Sequence, residues 1–87
     1  MVESYRSRQQ RAGFKVGDKV IITRKAATKE NGWSNSWVKD MDFYLNKEGT
    51  ITEISGEVGI RVYFTNKATW QFPYFVLQKI NQSFLDL

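Results

Sequence analysis

The chain has 87 residues, among them three tryptophans, four tyrosines and six phenylalanines, with no cysteine, no histidine and a net charge of +4. That length fits one domain, and the missing Cys and His exclude thiolate nucleophiles, disulfides, Cys/His zinc sites and imidazole acid–base chemistry. No run approaches the ~20 apolar residues of a membrane span, and no apolar segment of signal-peptide type follows the charged first residues, so a cytoplasmic protein is expected.

Residues 1–13 carry Arg6, Arg8 and Arg11 against Glu3. This segment reads as a flexible basic tail, able to touch phosphate or an acidic protein surface. The composition changes after Gly13, and a domain is expected over residues 14–80. "FKVGDKVIITRK" predicts a tight turn and then a strand over 18–25, with Val20 and Ile22 on one face by period-2 alternation. Residues 26–46 form the longest irregular stretch, and a loop of that length in a small domain is usually functional or ordered by its own side chains.

"EGTITEI" predicts the second strand, with Gly49 suited to a close approach at its start. Ile51 and Ile54 break strict alternation, and a bulge between them would let both point inward. "SGE" is a short turn. "GIRVYF" is the cleanest strand, with Ile60, Val62 and Phe64 inward and Arg61 and Tyr63 outward. After the "TNKAT" turn, "WQF" gives a short strand that Pro73 must stop, because proline has no N–H for the ladder. "PYFV" suits a single 3₁₀ turn and "LQKI" a last strand. Residues 81–87, "NQSFLDL", read as a C-terminal tail. These elements describe an all-β fold: a small, closed, SH3-like barrel of five strands, whose long first loop carries one or two helical turns.

The order "VGDKV", "GW…W…M", "EGTITEI", "GIRVYF" and "WQFPYFVL" resembles the SH3-like repeat of the Mind bomb family of ubiquitin ligases. The Trp and Gly-Thr portion is also similar to short proteins of tailed bacteriophages. The resemblance spans about residues 14–80 and implies a non-catalytic binding module. In Mind bomb proteins, tandem repeats of this type grip a peptide from a receptor's ligand. The present chain has one copy and no Cys/His ring, so the resemblance implies the scaffold rather than that peptide target.

Trp33, Trp37, Met41, Tyr44 and Leu45 recur at near-helical spacing in the first loop. Trp37, Met41 and Leu45 are expected to plug the barrel. Trp33 and Tyr44 are expected to face outward and, with Tyr63 and Tyr74, to form a surface that binds a protein or peptide. The alternative is a nucleic-acid interface of Arg6, Arg8, Arg11, Lys15, Arg24 and Lys25, with Trp33 stacking on a base. A third reading is a small structural subunit docked through Phe84, Leu85 and Leu87, so the sequence leaves a monomer and a part of a complex both open. Asp40 and Asp42 lack the turn glycine and third acid of a calcium loop. No metal, no cofactor and no enzymatic activity are expected.

Overall fold

Alternating apolar residues in short runs can bury one side of a strand and leave the other in water. That pattern produces five strands in the computed structural model, which describes residues 4–80. They are β1 (Lys19–Ile22), β2 (Glu48–Ser55), β3 (Gly59–Tyr63), β4 (Thr69–Phe72) and β5 (Leu77–Lys79). All pair antiparallel in the order β4-β3-β2-β1-β5. Val20, Ile22, Ile60, Val62 and Phe72 are wholly shielded from solvent, and Phe64 nearly so. The inward face read from alternation is therefore the core.

The sheet curls but does not close. β4 and β5 each have a single neighbour, which corrects the expected closed barrel. Pro73 ends β4, and the 3₁₀ turn Tyr74–Val76 carries the chain to the far side of β1. β1 is also shorter than expected. Beyond Ile22 the Thr23 N–H and hydroxyl both donate to the Val76 carbonyl, at 2.8 and 2.9 Å, which takes the chain out of the β1–β2 ladder.

The register of β2 against β3 shifts between Ile51 and Glu53, as the broken alternation predicted. Ile51 and Ile54 thereby pair with Val62 and Ile60, both on the inner face, so the bulge turns both toward that face as expected; Ile51 is buried there, while Ile54 remains 39% exposed. Gly49 is where β2 comes closest to β3. A Cβ there would overlap the Val62 side chain and lie 3.0 Å from the Tyr63 carbonyl.

Residues 4–13, the described part of the expected tail, are ordered against the sheet. Ser4 caps a helix, α1 (Tyr5–Arg11), by accepting a hydrogen bond from Ser7 N at 3.1 Å. Tyr5 and Gln9, one helical turn apart, are both buried. The expected flexible leader is thus corrected over its described part to a docked helix. One of its two inward residues is polar, so no apolar stripe advertises it. The expectations placed on residues 81–87, including Phe84, Leu85 and Leu87, lie outside the described residues.

Candidate functional site

The long first loop is built from two 3₁₀ segments, Glu30–Gly32 and Lys39–Tyr44, joined by extended chain. Lys29 and Asn31 take positive φ values of 60° and 53°, and Trp33 is extended. The loop therefore folds inward at its first tryptophan.

Trp33 is fully buried and its indole N–H donates to the Val58 carbonyl at 2.7 Å. Trp37 is half-buried, packs edge-on against Phe72 at 5.6 Å and donates to Asp42 Oδ1 at 2.7 Å. The outward assignment of Trp33 is thus corrected, while Trp37 packs against the core on its inner side. The physical reason is the hydrogen bond: the β2–β3 turn offers Trp33 a carbonyl inside the core, so its polar edge is satisfied there at no cost.

Tyr44 is also buried rather than offered outward. Its ring lies 4.3 Å from that of Phe64, and its hydroxyl accepts from Asn66 Nδ2 at 3.0 Å. Tyr74 is half-buried beneath Tyr5, with ring centroids 5.2 Å apart. Tyr63 is 40% exposed, on the solvent side of β3. The four residues expected to make one strip are consequently split. Tyr74 packs on Tyr5 of α1 and Trp33 lies in the core, while Tyr44 and Tyr63 line a cleft elsewhere on the molecule.

That cleft runs between the Lys39–Tyr44 segment and the β3–β4 turn. Its volume is about 680 Å³, within the ~300–1,000 Å³ usual for ligand sites. Tyr44 and Gly49 contribute to its base, Phe43 and Tyr63 are its exposed aromatic surfaces, and Lys19 and Lys47 bring positive charge beside Glu48. Phe43 is 65% exposed and is held edge-on to Tyr44 at 5.1 Å, with Lys47 Nζ 5.3 Å above its ring. Neither Phe43 nor Lys47 stands out in the sequence. The signal for Phe43 is its position: it falls off the stripe through Met41 and Tyr44, and an aromatic off the buried stripe of so short a segment must meet water.

The basic residues are largely engaged by the protein itself. Arg6 pairs with Glu57 at 2.9 Å, Arg24 with Glu30 at 2.8 Å and Lys25 with Asp42 at 3.6 Å. Arg8 donates to the Asn31 carbonyl at 2.7 Å. The Arg24 guanidinium holds the Glu30 carboxyl below the usual glutamate range, with help from the Ala27 N–H. Glu57 is lowered too, by its own backbone N–H first and by Arg6 second. Arg11 and Lys15 are exposed.

Asp42 serves Trp37 and Lys25, and no group of three or more His, Cys, Asp or Glu side chains suited to a metal occurs among the described residues. Among those residues no helix is long and apolar enough to cross a membrane.

Residues 14–73 match the Mind bomb SH3 repeat domain, a span that takes in β1 to β4 and the whole first loop. No curated protein and no solved structure matches the chain. With five antiparallel strands in SH3-like order and a family match across most of its length, the chain belongs to the Mind bomb SH3 repeat family.

Proposed function

We propose that this domain is a non-catalytic protein-interaction module that binds a protein segment in the cleft between Phe43 and Tyr63. The observation that carries this reading is the pair of exposed aromatic rings on an open cleft of about 680 Å³. An exposed phenylalanine costs solubility and contributes nothing to the core, whereas aromatic side chains at the centre of an interface dominate binding energy. Lys19 and Lys47 favour a ligand that sets an acidic group beside an apolar or aromatic side chain. Membership of an SH3-like domain family supports the class of function. The phage setting rests on the sequence resemblance alone.

The test is an affinity pull-down from the native cell, with and without nuclease, comparing the wild-type chain with a Phe43→Ala/Tyr63→Ala variant. A protein retained by the wild type after nuclease treatment and lost by the variant supports the reading. Retention that disappears with nuclease supports a nucleic-acid binder instead. Equal retention by both chains places the contact surface elsewhere.

A further inference from the structure

The sequence that follows β5 is NQSFLDL: three polar residues, then Phe84, Leu85, Asp86 and Leu87. It sets a carboxylate two residues from an aromatic ring, the chemistry that the Phe43–Tyr63 cleft favours. The point from which this segment departs is fixed. The Ile80 N–H donates to the Lys19 carbonyl at 3.0 Å, which extends the β1–β5 ladder by one residue. Lys19 lies opposite Thr50, and Thr50 opposite Tyr63, so Ile80, Lys19, Thr50 and Tyr63 form one row across the strands. Directly opposed residues share a face of the sheet. Lys19 and Tyr63 are exposed, so the row runs along the outer side. Lys19, Thr50 and Tyr63 all line the aromatic cleft, while Lys19 and Ile80 line a smaller hollow beside it. The exit of β5 therefore opens onto one end of the cleft.

The distances suit an occupant from the same chain. Neighbouring strands lie ~4.8 Å apart, so three steps along the row place Tyr63 ~14 Å from Ile80. Extended chain covers ~3.3 Å per residue, so the four residues from Ile80 to Phe84 span ~13 Å before the ring adds its own reach. Asn81 and Ser83 are turn-forming residue types, suited to redirecting the chain across the strands. The charges agree. Arg6, Arg24, Lys25 and Lys79 each pair with a carboxylate. Lys19 Nζ instead reaches the Thr50 hydroxyl at 3.4 Å, and Lys47 Nζ lies over the Phe43 ring. Against Glu48 alone, these two lysines leave the cleft lining with a positive balance.

We propose that residues 81–87 fold back within the same molecule and cover the aromatic cleft, with Phe84 against the Phe43 and Tyr63 rings and Asp86 beside Lys47. The inference rests on the reading of that cleft as a recognition surface, and it makes the segment a built-in competitor of the partner. A cleft covered roughly two-thirds of the time binds its partner about threefold more weakly than an open one.

Nuclear magnetic resonance of the full chain tests this without a partner. The expected result is nuclear Overhauser contacts from the Phe84 ring to the Phe43 and Tyr63 rings. Phe84→Ala then shifts the amide signals of residues 43–50 and 63–66 and leaves the rest of the spectrum folded and in place. A folded chain without those ring contacts overturns the proposal. So do contacts that appear only between labelled and unlabelled copies in a mixed sample, which would assign the cleft to a second copy's segment. In a second arm, the protein captured in the pull-down is titrated against both chains, and Phe84→Ala is expected to bind it about threefold more tightly. Equal affinity overturns the competitor role. Failure of the ring contacts leaves the pull-down result untouched, whereas capture that ignores Phe43 and Tyr63 overturns the binding reading itself.

Discussion

Replacing Trp33 by alanine separates a core tryptophan from a recognition tryptophan. The side chain is fully buried, and its N–H satisfies the Val58 carbonyl at 2.7 Å. Truncation of a buried Trp costs ~3–5 kcal/mol through lost transfer energy and the cavity left behind. Leaving the Val58 carbonyl unpaired adds ~1 kcal/mol or more. A chain of 87 residues has roughly 4–13 kcal/mol of stability in total, so the substitution removes a large share of it. At ~4–8 °C per kcal/mol for a small domain, the midpoint falls by at least ~15 °C. Trp33→Phe keeps most of the packing and loses only the donor, with an expected cost of ~1–3 kcal/mol. Urea unfolding followed by far-ultraviolet circular dichroism measures both, since that signal does not depend on the indole removed. A Trp33→Ala chain that unfolds at the wild-type midpoint while losing its partner would refute this reasoning and return Trp33 to the surface.

The opposite behaviour is expected at the cleft. Phe43→Ala and Tyr63→Ala each weaken partner binding by roughly tenfold or more, while unfolding free energies from urea titration stay within ~0.5 kcal/mol of wild type, as for exposed positions generally. Gly49→Ala destabilises by ~1–3 kcal/mol, because its Cβ must displace Val62 at the closest approach of β2 and β3; equilibrium unfolding measures it. Burial pushes the Tyr5 hydroxyl from 10.0 to about 12. The folded state disfavours its phenolate, so the stability this group contributes is intact below pH 10 and is lost as pH rises toward 12. Unfolding midpoints across that range fall for the wild type, and Tyr5→Phe removes this tyrosine's share of the fall.

The strands were legible because each depends on local pattern alone. Val20 with Ile22, and Ile60 with Val62 and Phe64, alternate cleanly, and Gly49, the 51–53 bulge and Pro73 punctuate them where the physical rules place them. The sheet's failure to close was not legible, since it depends on where the Tyr74–Val76 turn delivers the chain. The tryptophans misled for a definite reason. Reading Trp33, Trp37 and Met41 as one helical stripe assumes continuous helix, yet the backbone is extended at Trp33 and again at Val38, so the residues do not share a face. The docked helix was missed because its inward pair, Tyr5 and Gln9, includes a polar residue whose role is a long-range hydrogen bond to Gly56. Charge counting likewise could not show that Arg6 and Lys25 are paired with Glu57 and Asp42, carboxylates far from them in sequence.

Amide hydrogen exchange of the domain, alone and bound to the protein captured in the pull-down, tests most directly where recognition occurs. The account predicts new protection concentrated on residues 43–50 and 63–66, the two sides of the aromatic cleft, with the amides around Trp33 unchanged. Protection centred on residues 30–37, with the Phe43–Tyr63 cleft still exchanging freely, would contradict it.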